Sequence, residues 1–336
     1  MPDIDRIITC DDDNIGELRA KYPNGLHFVV GDTHGACETL KALMNKICFD
    51  PLKDHVYFVG DYNGGGNIYS LMNYISKYYS SDYNVPGFHL IRGNHERWCG
   101  PAYYLQNLPD IIVLRCTALD YYIVHAGMIK SAYDVIREDI NSQPDKRVFS
   151  YRLDDGKLEY DEPLRMITWS RGGQYSQKDR YRHHSQRSKF PVWPPEDVLK
   201  ADHSCIIHGH APYSYFKKDY GYSYGENNLF WQNQHIIFSE SLQSFNMDSD
   251  IKGKNKNGET YRGLACVCLE VLEEIASQGQ NGLTVEGIRR SQNGVFGAEH
   301  IYNYGSSEQG DISRILNAHI EMKTLSADDS DQPYLY

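Results

Sequence analysis

The chain has no run of about 18 apolar residues, so no membrane-spanning helix is expected. Its first residues, Met1-Pro2-Asp3-Ile4-Asp5, are acidic and lack the apolar core of a signal peptide. Eight cysteines are scattered without a C-x-x-C spacing, which removes the common zinc-ribbon and redox motifs. Free thiols in a reducing cytoplasm are the simplest reading. Cys266 and Cys268 would share one face of a buried strand. Positive charge is also short: 34 bases face 45 acids, for a net charge of −11. That balance argues against a general binder of nucleic acid or of a membrane surface. No internal repeat is visible. What is present is ordinary globular composition, 40% hydrophobic and 24% charged. At 336 residues the chain makes one large domain or a domain plus an appendage. The expected division is 1–275 and 276–336, with no site motif in the second part. Ile312, Leu316 and Ile320 there could form one helical stripe.

The informative feature is a set of polar motifs, each directly behind an apolar, β-like run. GDTHG (31–35) follows Leu26–Val30, and GDYNGGG (60–66) follows His55–Val59. GNHE (93–96) follows Phe88–Arg92, HAG (125–127) follows Tyr121–Val124, and GHAP (209–212) follows Cys205–His208. Between the first motifs, Leu40, Leu43, Met44 and Ile47, then Ile68, Leu71, Met72 and Ile75, recur at helical spacing. Strand, polar loop, helix, strand is the grammar of an α/β sheet. In such sheets, sites form beyond the carboxyl ends of the strands, where these motifs lie. Two later runs, His235–Phe238 and Leu264–Val271, also read as strands.

Asp32, His34, Asp61, Asn94, His125 and His210 therefore converge as candidate metal ligands. Carboxylate suits hard divalent cations, and imidazole suits borderline ones such as Mn, Fe and Zn. Two cations held about 3.5–4 Å apart clamp a phosphate and generate hydroxide at neutral pH. His95 directly follows Asn94 and is the candidate general acid for the leaving alkoxide. Glu96 reads as a hydrogen-bond acceptor and not as a base. His208 reads as a strand-end histidine, leaving His210 as the ligand. His27, His55 and His89 read as packed or exposed strand residues. A basic segment from Arg171 to Lys189 includes Arg180 and Arg182, read as candidate substrate contacts arching over the site. His183 and His184 within it read as solvated, and Trp193 and Trp231 as core.

Taken together, these motifs resemble the phosphoprotein phosphatase branch of the calcineurin-like metallophosphoesterases, nearest its bacterial and phage members. The resemblance spans about residues 26–272. It includes Phe245-Asn246-Met247-Asp248-Ser249, similar to an Asn-Ile-Asp-Thr-Gly run in that family. It implies a four-layer α/β fold, a central β-sandwich flanked by helices, with a dinuclear site at its edge. It implies the same six metal ligands with Asp61 bridging, His95 as the catalytic histidine, and two divalent ions, Mn2+ first among them. Thr168-Trp169-Ser170-Arg171 resembles the family's Trp-x-Arg, which would make Arg171 a phosphate contact.

One departure matters. The family's second motif reads GDxxDRG, and here Gly64 and Gly65 stand where Asp and Arg are expected. The missing Asp would orient the catalytic histidine, and the missing Arg would grip phosphate bidentately. Asn63 is the nearest substitute contact for His95, without the charge. The leading expectation is a metal-dependent phosphomonoesterase acting on phosphoprotein Ser/Thr phosphate, with Tyr phosphate as an extension. The rivals are a dinucleoside tetraphosphate hydrolase and a low-activity phosphate-binding module.

Overall fold

A computed structural model describes residues 12–64, 66–98, 105, 107–153, 194–210, 228–231, 236–240, 243–248, 251, 263–278, 282–291, 294–298 and 334–335. In chain order the elements begin with α1 (Asp12–Lys21), β1 (His27–Val30), α2 (Cys37–Lys46), β2 (His55–Phe58), α3 (Ile68–Ser76) and β3 (Gly87–Leu90). They continue with α4 (Asn94–Trp98), β4 (Ile111–Arg115), β5 (Asp120–Val124), α5 (Lys130–Ser142), β6 (Val148–Leu153), α6 (Glu196–Ala201) and β7 (Ser204–His208). The last are β8 (Asn228–Trp231), β9 (Ile236–Ser239), β10 (Ser244–Asn246), β11 (Leu264–Cys268), α7 (Leu269–Gln278), α8 (Val285–Ser291), β12 (Val295–Ala298) and β13 (Tyr334–Leu335).

Two mixed sheets result. The first runs β12-β11-β1-β2-β3, with β1, β2 and β3 parallel and β11 antiparallel to β1. The second runs β13-β6-β4-β5-β7-β10-β9-β8, with β5, β7 and β10 parallel. Parallel strands place all their carboxyl ends on one edge. The turns after β1, β2 and β3 therefore open together, and so do those after β5 and β7.

Alternation along the second sheet shows how the layers form. Ile112, Leu114, Tyr121, Ile123, Cys205 and Ile207 join the core shared with the first sheet. Their neighbours Ile111, Val113, Tyr122, Val124 and Ile206 join a separate core with Tyr133, Ile136, Ile140 and Leu199 of α5 and α6. A strand buried on both faces reads as a continuous apolar run, which is how these strands look in sequence. Over the first sheet, Leu40, Leu43 and Met44 of α2 and Leu71, Met72 and Ile75 of α3 are buried, as their spacing predicted. Asn67 caps α3, its side-chain oxygen accepting the Ser70 N–H at 3.1 Å. Helices outside two facing sheets make the expected four layers.

The run Leu264–Val271 is a strand only to Cys268, where α7 begins. The apolar stretch passes through the junction unbroken, so composition gives no boundary there. The helix is legible instead from Leu269, Leu272, Ile275 and Ala276, all buried on one face. The expected division after residue 275 falls inside α7. Beyond it, Leu283, Val285 and Ile288 join the main core, and β12 extends the first sheet through β11. Among the described residues, no helix is long and apolar enough to cross a membrane.

A buried ion pair ties the two sheets near their shared edge. Arg92, just after β3, forks onto Asp110, just before β4, with Nε to Oδ1 at 2.9 Å and Nη2 to Oδ2 at 2.8 Å. Both side chains are almost wholly excluded from solvent.

Candidate metal centre

All six expected ligands lie just beyond strand ends at this edge. Asp32 and His34 follow β1, Asp61 follows β2, Asn94 opens α4 behind β3, His125 follows β5 and His210 follows β7. Asp32, Asp61, Asn94, His34 and His125 are buried. Five of the six fall into two groups. Asp61, His125 and His210 offer ligand atoms all within 4.8 Å of one another, and Asp32, His34 and Asp61 do the same. Asp61 belongs to both.

Main-chain hydrogen bonds aim the side chains. The Nδ1 of His125 lies 2.8 Å from the Val59 carbonyl, and that of His34 lies 3.0 Å from the Asn63 carbonyl. A carbonyl only accepts, so each Nδ1 carries the proton and each Nε2 turns its lone pair inward. The His125 Nε2 then meets Asn94 Oδ1 at 2.8 Å and Asp61 Oδ1 at 3.3 Å. The His34 Nε2 faces Asp61 Oδ2 at 3.9 Å and Asp32 Oδ2 at 4.0 Å. Converging lone pairs of this kind are stabilised by cations held between them. The donor set of two carboxylates, three imidazoles and one amide oxygen fits divalent ions of the hard-to-borderline class.

The turns themselves are interlocked. The His34 N–H donates to the Asp61 carbonyl at 2.8 Å, and the Gly209 N–H to the His125 carbonyl at 2.7 Å. The His210 N–H donates to Asp32 Oδ2 at 2.9 Å. His34, Asp61 and His210 sit at φ of 44°, 53° and 67°, left-handed backbone that side chains other than glycine seldom adopt. Gly209 is required for a different reason: a Cβ there would lie 1.9 Å from Asp32 Oδ1.

Glu96 is the acceptor the sequence suggested, and it joins two motifs. Its Oε2 takes the N–H groups of Asp61 and Gly93, both at 2.8 Å. Its Oε1 takes those of Tyr62 at 2.8 Å and Asn63 at 3.4 Å. Burial, then the Asp61 charge, pushes its carboxyl up to about 7, while the Gly93 and Asp61 N–H groups pull it back. Burial also holds His208 neutral, lowering it to about 4, with its Nδ1 3.2 Å from the Gly209 carbonyl. His210, and not His208, joins the ligand group.

His95 stands at the open side of the centre, its side chain 36% exposed. Its main-chain N–H donates to Asp61 Oδ1 at 3.0 Å, and its ring Nε2 lies 3.7 Å from Asp61 Oδ2. The His34 ring meets it edge-on at 5.3 Å. Asn63 takes part through its main chain, as the His34 and Glu96 bonds above describe. Gly64 is exposed at φ 126°. Gly65, Arg171, Arg180, Arg182, His183, His184, Trp193 and the stripe of Ile312, Leu316 and Ile320 lie outside the described residues, as does the Trp231 side chain. Motif reading missed the carbonyls of Val59 and Asn63, because a main-chain acceptor has no residue type to signal it.

Among curated proteins, none matches the chain. Three solved structures share a distant likeness. A candidate diadenosine tetraphosphatase is 14% identical, covering 73% of this chain and 89% of its own, at a TM-score of 0.39. A protein serine/threonine phosphatase from Saccharomyces cerevisiae is 13% identical, covering 88% and 90%, at 0.42. A cold-active protein tyrosine phosphatase from the psychrophile Shewanella is 14% identical, covering 80% and 80%, at 0.35. Likenesses this distant carry no argument about substrate. Residues 28–239, well over half of the chain, match the calcineurin-like phosphoesterase family, and the chain belongs to that family.

Proposed function

We propose that this phosphoesterase is a metal-dependent phosphomonoesterase of the phosphoprotein phosphatase branch, acting on Ser/Thr phosphate in proteins. The observation that carries the reading is the position of Asp61 in both ligand groups, which suits one carboxylate bridging two cations. In this reading Asp32 and His34 complete one cation's shell, and Asn94, His125 and His210 the other's. Mn2+ is the ion we put first. When bound, such a pair polarises a phosphoryl oxygen and acidifies water. The chain's own residues orient and shield. Val59 and Asn63 fix the histidine tautomers, and Glu96 fixes the Asp61 turn. His95, partly exposed and tethered to Asp61 by its N–H, hands a proton to the leaving alkoxide oxygen. Arg171 is proposed as a phosphate contact, with Arg180 and Arg182 as outer contacts for an acidic substrate. We assign the chemistry to the motif-bearing residues within 1–275, in a reducing cytoplasm. Free cysteines at 37, 48, 116, 205, 266 and 268 support that compartment.

The test is metal analysis of the purified protein, then p-nitrophenyl phosphate hydrolysis after chelation and after Mn2+ is returned. A phosphoserine peptide and diadenosine tetraphosphate are then compared by kcat/KM. Full activity after exhaustive chelation overturns the metal reading. A preference for the dinucleotide overturns the substrate.

A further inference from the structure

One strand supplies no candidate ligand yet ends beside the motif turns. β13 forms from Tyr334–Leu335, separated from β12 by residues 299–333, and adds to β6 in parallel. Direction fixes where it points. β5 and β6 both run antiparallel to β4, so they run parallel to each other, and β13 follows them. All three therefore finish at the edge where His125 and the other candidate ligands gather. Register fixes its height. Ile111 pairs with Val124 on one side and with Tyr151 on the other, so Tyr151 is level with the residue just before His125. Tyr334 pairs with Arg152 and Leu335 with Leu153, one and two positions further along. At about 3.3 Å per residue, β13 rises about 7 Å beyond the last residue of β5. Three strand spacings, from β13 through β6 and β4 to β5, set it about 14 Å to the side of that strand.

Those two lengths decide what β13 obstructs. A folded partner pressing a phosphorylated side chain into the centre covers about 800 Å2 of surface, a disc of about 16 Å radius. β13 stands inside that disc and rises toward it. A small aryl phosphate, which needs only the centre itself, does not meet the strand. The strand is also held by little main-chain pairing. It pairs with the last two residues of β6, and among the described residues no other strand lies on that side of Val148–Tyr151. Two residues of parallel pairing must offset the closure of the chain through 299–333, a cost that grows with the length closed. We infer that β13 is a displaceable strap that sets the size of substrate admitted to the Asp61 centre. Closed, it passes small phosphoesters and turns away those carried on folded proteins; open, it admits both. The gate presupposes the hydrolysis proposed above, and it acts on substrate size whichever residue carries the phosphate.

The test compares p-nitrophenyl phosphate with an aryl phosphate tethered by a short spacer to a small folded carrier protein. Phosphate release from each is read with the full chain in Mn2+. Tyr334→Pro/Leu335→Pro removes both main-chain donors of β13. It is expected to raise kcat/KM for the carrier-linked ester about threefold or more, by freeing the closed fraction, and to leave p-nitrophenyl phosphate unchanged. Arg152→Cys/Tyr334→Cys, registered across the pair, locks the strap when oxidised. The carrier-linked rate should then fall and return on reduction, with the small ester unaffected and the parent chain indifferent to the same treatment. Equal effects on both esters, or none on the carrier-linked one in either variant, overturn the strap. A parent chain that hydrolyses neither ester removes the proposed function, and the gate with it.

Discussion

Replacing Glu96 by glutamine isolates what its carboxylate does. The change keeps size and shape and removes one acceptor oxygen. If the remaining oxygen keeps the Asp61 and Gly93 N–H groups, the new amide NH2 faces the N–H groups of Tyr62 and Asn63. If it turns over, it faces Asp61 and Gly93 instead. Either way two buried donors lose their acceptor in a residue with no solvent exposure. Each orphaned donor costs about 1–3 kcal/mol, and the Asn63 contact is the weakest of the four, so a loss of about 2–4 kcal/mol is expected. Glu96→Ala strands all four donors and should cost more. Urea unfolding measures this directly. The same protein, assayed below its unfolding range, should need more Mn2+ for half-maximal p-nitrophenyl phosphate hydrolysis, because the Asp61 turn is no longer held. Glu96→Asp, which keeps the charge but falls short of the donors, should lie between. A loss under 1 kcal/mol with an unchanged Mn2+ requirement would refute the claim that Glu96 positions Asp61.

Gly209→Ala should abolish metal binding without unfolding the sheets, since its Cβ meets Asp32 Oδ1 at 1.9 Å; isothermal titration with Mn2+ checks it. Arg92→Ala removes the buried cation that forks onto Asp110, and should cost about 3–5 kcal/mol in denaturant unfolding. Gly64→Asp with Gly65→Arg, which restores the family's pair, should raise turnover on p-nitrophenyl phosphate; a fall in kcat/KM refutes it. The Asp at 64 carries a penalty of about 1–3 kcal/mol, because φ there is 126°. Burial depresses His55 and His89 below the ordinary histidine value, so the unfolded chain binds more protons between pH 6.5 and about 4. Stability is then complete above pH 6.5 and falls as pH drops through that window. Each histidine contributes a slope of up to about 1.4 kcal/mol per pH unit, and His89→Gln should flatten the profile.

Where the candidate ligands gather was easier to read in the sequence than which strands pair. Asp32, Asp61, Asn94, His125 and His210 each end an apolar run, and a strand end is the one place where such a side chain leaves a sheet. That signal survives without knowing which strands are neighbours. The pairing of β7 with β10, or of β11 with both β1 and β12, has no such local sign. It depends on which apolar faces meet after the chain has travelled tens of residues. The boundary at Leu269 was hidden for the same reason: burial asks for apolar residues in strand and helix alike. What sequence could not supply at the site was backbone conformation. His34, Asp61 and His210 occupy left-handed φ at a cost of roughly 1–2 kcal/mol each. Something must hold them there. For Asp61 the restraints are explicit: its N–H is taken by Glu96, and its carbonyl takes the His34 N–H. The penalty at 61 and the four hydrogen bonds at 96 are thus two halves of one device. It turns a carboxylate that local preference would point elsewhere toward both ligand groups at once. Relaxing the backbone with Asp61→Gly could not reproduce it, because that removes the carboxylate together with the strain. The strained aspartate is therefore the residue type the position demands.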